Sequence, residues 1–112
     1  MRPAILFAAL LLLLVPTTGC DRDRSGPGLY RSYCRRCHGP DGEGPSRPVE
    51  LYPHLDLLSS PMVLRRDRAA VRQRIAEGRG PMPGYAKRLT PDEMERLIDF
   101  TLQLPAHDPG RK

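Results

Sequence analysis

The chain is 112 residues long, which fits one domain. It has two Phe, four Tyr and no Trp, so a core of this size is marginal on its own apolar side chains. The formal charge is +5, and sixteen of the eighteen basic residues are Arg, a bias that by itself identifies no partner.

Residues 1–19 read as a cleaved export signal. Arg2 gives a positive start, Ala4 to Val15 is an unbroken apolar run, and Pro16-Thr17-Thr18-Gly19 follows. The run has twelve residues. At about 1.5 Å per residue it is too short for a hydrocarbon core of about 30 Å. Small residues before Cys20 resemble the processing box of bacterial lipoproteins, with Thr17 where that box usually carries Leu or Val. The resemblance implies acylation of Cys20. Ordinary secretion is the alternative, and it leaves Cys20 a free thiol. Residues 20–25 are polar and alternate in charge, as a short tether does.

A domain spanning 26–104 follows. Pro27 suits a first helical position, and Leu29, Tyr30 and Tyr33 lead into Cys34, so the spacing predicts a first helix over residues 27–37. The stretch Cys34-Arg35-Arg36-Cys37-His38-Gly39 carries the chemistry. On a helix, Cys34, Cys37 and His38 project from one face. Two sulfurs can then bond the edge of one flat macrocycle while the imidazole reaches a central metal. Cys-x-x-Cys-His is the attachment pattern for haem c. Gly39 lets the backbone turn away with no Cβ in the path. Three other readings use the same residues. A thioredoxin-like dithiol belongs beside a βαβ pattern, and no strand run is evident here. A zinc site needs a fourth ligand, from His54 or His107. Coincidence is the third. With Cys20 acylated and Cys34 and Cys37 on haem, no cysteine is left for a disulfide.

Residues 39–61 are rich in Gly and Pro without a sustained period. A loop this long suggests wrapping of a cofactor, with Val49, Leu51, Tyr52, Leu55, Leu57 and Leu58 along the pocket and a short helix near 56–59. A Pro carbonyl here, Pro48 first and Pro53 second, is the expected acceptor for the free ring N–H of His38. A second helix is predicted over residues 67–77, capped by Asp67, with Ala70, Val71 and Ile75 inward and Gly78 past its end. Arginines at 65, 66, 68, 72, 74 and 79 crowd the other face. Met82 lies between Pro81 and Pro83, on backbone too stiff for a helix interior. A third helix starts at Thr90, where Thr90-x-x-Glu93 forms a capping box and Leu89 and Met94 a staple. Met94, Leu97, Ile98, Thr101 and Leu104 mark its inward face, with Phe100 beside them, and Pro105 stops it. Residues 105–112 are a polar tail.

The pattern resembles a small class I c-type cytochrome of bacteria, over residues 26–104. The residues that carry the resemblance are Gly26, Leu29 and Tyr30, the Cys34-x-x-Cys37-His38-Gly39 motif, Ile75, Gly78, Met82-Pro83, Leu89, Leu97 and Phe100, where relatives more often have Tyr or Trp. The resemblance implies an all-α fold of about three main helices around one covalent haem c. In that fold the first and last helices cross, with Gly26 near Phe100. It implies His38 as proximal and Met82 as distal iron ligand. With both axial positions filled, the expected function is one-electron transfer rather than catalysis, in a periplasmic or cell-surface redox chain. Expected partners are a donor dehydrogenase or quinol oxidoreductase, an acceptor oxidase or reductase, and the membrane through the lipid. Nucleic acid is not an expected partner of an exported haem protein. Alternatives are a haem subunit of a larger dehydrogenase or oxidase complex, and a gas-binding sensor if Met82 does not ligate.

Overall fold

The computed structural model describes residues 22–45 and 53–107. Cys20, Pro48, Val49, Leu51 and Tyr52 lie outside them. Five helices occur in the described residues: α1 (Gly26–Tyr33), α2 (Arg35–His38), α3 (Pro61–Leu64), α4 (Arg68–Glu77) and α5 (Pro91–Gln103). Two 3-10 turns, Pro53–Leu55 and Leu104–His107, complete the order. Among the described residues there is no strand, only an isolated bridge between Arg79 and Met82. None of the described helices is long and apolar enough to cross a membrane.

The three longer helices, α1, α4 and α5, are the three expected from the sequence. Ser25 caps α1 by accepting the Gly28 N–H at 3.1 Å. Asp67 caps α4 by accepting the Ala70 N–H at 3.0 Å, and Val71 and Ile75 are its buried residues. The capping box of α5 is complete: Thr90 Oγ1 accepts the Glu93 N–H at 3.2 Å, and Glu93 accepts the Thr90 N–H at 2.9 Å. Leu89 and Met94 are both buried in one cluster, consistent with the staple. Leu102 joins the expected inward face of α5. Pro105 does not end the chain's curl abruptly; α5 tightens into the 3-10 turn instead.

Two expectations need correction. The first helix does not run unbroken to Cys37. It stops at Tyr33, and Cys34 (φ −115°, ψ −37°) separates it from α2. The reason is a competing donor. The Tyr85 hydroxyl donates to the Tyr33 carbonyl at 3.1 Å, and the Cys37 N–H turns to the Cys34 carbonyl at 3.1 Å. The short helix expected near 56–59 is also displaced. A helical turn precedes it at Pro53–Leu55, and α3 follows it.

Helices α1 and α5 cross tightly. A Cβ placed on Gly26 would lie 2.6 Å from the Arg96 carbonyl oxygen and 3.0 Å from Phe100 Cβ. The rings of Tyr30 and Phe100 meet at 5.2 Å with planes tilted by 58°. Leu29, Tyr30, Leu97 and Ile98 fill this crossing and are almost wholly buried. Helix α4 ties to α5 through charge: Arg68 pairs with Glu95 and Asp99, and Arg72 with Glu95. Part of the arginine face therefore grips a neighbouring helix.

Candidate haem-attachment site

The attachment turn is held at both ends by tyrosines. At its start, the Tyr85 hydroxyl takes the Tyr33 carbonyl, and the Tyr33 and Tyr85 rings pack at 5.3 Å. At its end, the buried Tyr30 hydroxyl donates to the Gly39 carbonyl at 2.8 Å. Burial, with smaller effects from Cys34 and Asp41, pushes the Tyr30 phenol well above its ordinary range, so it stays a donor. Between these points Cys34 is the cap of α2, and its carbonyl accepts the N–H groups of Cys37 and His38 at 3.1 and 2.9 Å. Cys34 is half-buried, Cys37 exposed and His38 half-buried. Both cysteines are free thiols.

Gly39 has φ +76°, and a Cβ there would stand 2.4 Å from the Gly44 carbonyl oxygen. Its need is thus local: the chain folds back so that the Gly44 N–H reaches the His38 carbonyl at 2.8 Å.

His38 Nδ1 lies 2.9 Å from the Leu55 carbonyl oxygen. A carbonyl only accepts, so Nδ1 carries the proton and donates. The lone pair is then on Nε2, the nitrogen a metal takes. Pro48, the first expectation for this carbonyl, lies outside the described residues. Pro53 is not the partner; Leu55, in the same turn, is. Of the expected pocket leucines, Leu58 is buried and Leu55 and Leu57 are half-buried.

The dithiol alternative lacks its βαβ setting, since no strand occurs among the described residues. Burial, and then the neighbouring Cys37, push the Cys34 thiol up to about 12. A reactive redox dithiol needs the opposite shift, toward thiolate. The zinc alternative finds no support either: among the described residues no group of three or more His, Cys, Asp and Glu is arranged to hold a metal ion.

Met82 is half-buried on a loop clamped to the end of α4. Arg79 and Met82 exchange both backbone hydrogen bonds at 3.0 Å. The Tyr85 N–H then returns to the Ile75 carbonyl at 2.9 Å and the Ala86 N–H to the Ala76 carbonyl at 3.2 Å. Met62, at the start of α3, lines a cavity of about 300 Å³ with Gln73, Arg74, Glu77 and Arg79.

Two thiols and an imidazole with its Nε2 lone pair available, on one turn, are the groups that attachment of haem c needs, and these residues fit that group. An all-helical fold carrying this set defines a c-type cytochrome domain. The chain belongs to the family described as cytochrome c oxidase, cbb3-type, subunit III, whose profile matches residues 21–100. It is 28% identical over 79 residues to cytochrome c6 of Gloeothece citriformis (strain PCC 7424), covering 70% of this chain and 68% of that protein. Membership of a cytochrome c family implies covalently bound haem c as cofactor and electron transfer as class.

The sequence names Leu55 along the pocket but not its carbonyl as the His38 partner, and does not reveal Tyr30 as the tie to Gly39 or Tyr85 as the tie to Tyr33. The tyrosines had a signal, since a buried phenol needs a partner. Leu55 acts through its backbone and had none.

Proposed function

We propose that this protein is a monohaem, one-electron carrier tethered by a lipid on Cys20 to the periplasmic side of a bacterial membrane. What carries the proposal is the His38–Leu55 bond, which leaves Nε2 to the iron. Cys34 and Cys37 would form the thioethers, and His38 and Met82 would hold the iron. The haem, once bound, supplies reversible one-electron oxidation and reduction. The chain's own part is to fix the imidazole, keep Met82 from wandering and bury one edge of the site behind Tyr30 and Tyr85. Residues 1–19 serve as the export signal, 20–25 as the tether, 26–104 as the haem domain and 105–112 as the tail. Donor and acceptor are redox proteins, a dehydrogenase or quinol oxidoreductase on one side and an oxidase or reductase on the other.

A second reading has a specific observation behind it. The family description names an oxidase subunit, so permanent docking in a terminal oxidase competes with free diffusion. Detergent extracts of native membranes decide between them. A free carrier elutes alone at its own size; a subunit elutes with the oxidase. A haem-staining band on a denaturing gel tests the site itself, and haem that extracts into acidified organic solvent would overturn it.

A further inference from the structure

Asp56 is a buried carboxylate that none of the roles above uses. It directly follows Leu55, whose carbonyl accepts the His38 Nδ1 proton. Its Oδ1 accepts the Leu58 N–H at 2.9 Å, and its Oδ2 accepts the Ser59 hydroxyl at 2.7 Å. The carboxylate thus closes a turn over the residues just after it, the local bond that Asp makes when it replaces a backbone turn. The turn is fastened from outside as well. The Leu57 N–H donates to the Gly42 carbonyl at 2.8 Å, and the Leu58 side chain is buried in the core.

Burying a carboxylate is costly unless its oxygens are satisfied. Here both oxygens accept hydrogen bonds from the adjoining turn, Oδ1 from Leu58 and Oδ2 from Ser59, next to the Leu55–Asp56 peptide. A carbonyl in a loop this rich in Gly and Pro would otherwise exchange its ring N–H for water.

We propose that Asp56 is a positioning residue for His38. It locks the Leu55 carbonyl onto Nδ1 and so fixes the tautomer and ring plane that the iron ligand requires. The proposal rests on His38 being that ligand. An N–H···O=C bond at Nδ1 makes the imidazole a stronger donor at Nε2, which favours ferric over ferrous iron. Loosening the bond therefore raises the reduction potential.

The test uses the full haem-loaded chain and two readouts: solvent exchange of the His38 Nδ1 proton in the reduced protein, by NMR, and the reduction potential. Asp56→Ala is expected to speed that exchange about tenfold, the equivalent of one lost hydrogen bond, and to raise the potential. Amides of α5 should exchange as in the parent. Asp56→Asn keeps an acceptor for the Leu58 N–H and a polar partner for Ser59, so it should restore slow exchange. Should Asp56→Ala fail to fold, Ser59→Ala keeps the Oδ1 bond to Leu58 while losing the hydroxyl's bonds to Oδ2 and, at 3.5 Å, to the Asp56 carbonyl, and is expected to speed exchange by a smaller factor. Unchanged exchange in the alanine variants overturns the proposal, and so does an Asp56→Asn variant as loose as Asp56→Ala. A parent protein whose His38 ring shows no haem-shifted resonances overturns the proposed function itself, which separates the two failures.

Discussion

Arg24 and Glu93, 69 positions apart, face each other as a two-point ion pair: Nε to Oε1 at 2.5 Å and Nη2 to Oε2 at 2.6 Å. The pair joins the residues just before α1 to the first turn of α5. Glu93 also accepts the Thr90 N–H, so one carboxylate serves the helix cap and the crossing together. The Arg96 Nε donates to the Arg24 carbonyl at 3.1 Å and completes the clasp.

That clasp sets an acid limit. The Arg24 hydrogen bonds first, and the Thr90 N–H second, hold Glu93 at about 2 against an ordinary 4.5. A lowered folded value means that the unfolded chain binds the proton more readily as pH falls. The contribution is full above 4.5 and lost as pH drops toward 2. Stability measured by chemical denaturation from pH 6 to pH 2 should decline over that window, and Glu93→Gln should flatten the decline. An unchanged slope in the variant would mean that other carboxylates carry it.

The helix crossing makes Gly26→Ala destabilising. The added Cβ meets a backbone oxygen of α5 at 2.6 Å, which a side-chain shift cannot relieve. Overpacking of this kind costs about 1–3 kcal/mol, against a helix-propensity gain of at most about 1 kcal/mol at this position. Thermal unfolding of the variant should fall by several degrees, and a variant that melts at or above the parent would mean that α1 and α5 part easily.

Met82, rather than Met62, is expected to be the distal ligand. Met82→Ala should abolish the sulfur-to-iron charge-transfer band of the oxidised protein, lower the potential and open reduced iron to carbon monoxide. Met62→Ala should change none of these. Loss of the band with Met62 alone would reverse the assignment.

The membrane tether is tested at Cys20. Mass spectrometry of the mature N-terminus from the native host should show an acylated Cys20, and Cys20→Ser should release the domain into the soluble fraction. An unmodified Cys20 would leave the chain simply secreted.

Arg35 and Arg36 are exposed on α2 and carry no ion pair among the described residues. Lys87 and Arg88 are likewise exposed, on the turn after Tyr85. If these charges steer an acidic partner, the association rate falls as salt rises, because exposed charges are screened beyond about 8 Å at physiological ionic strength. A flat salt profile in stopped-flow electron transfer would leave this surface without that role.

How much of this was legible in the sequence depends on how local each signal was. Helix α5 was, because Thr90, Pro91 and Glu93 announce its start within four residues. Helix α4 was, through Asp67 and Gly78. The break at Cys34 was not, because it depends on Tyr85, far along the chain, taking the Tyr33 carbonyl. Helix α3 has four residues, too few to show a period, and no side-chain cap marks its start. Thiols and imidazole were visible as types at a spacing. The partner of His38 was not, since every backbone carbonyl looks alike until folding chooses one.

Two phenols, and neither thiol, draw the curve of the attachment turn. Tyr85 pins it at Tyr33 and Tyr30 pins it at Gly39, and no hydrogen bond along the way involves sulfur. Loss of both sulfurs would leave these two hydrogen bonds in place. The turn is accordingly a mount whose hydrogen bonds do not depend on its sulfurs: exchanging the thiols at positions 34 and 37 would rewrite its chemistry while leaving the tyrosine bonds that shape it.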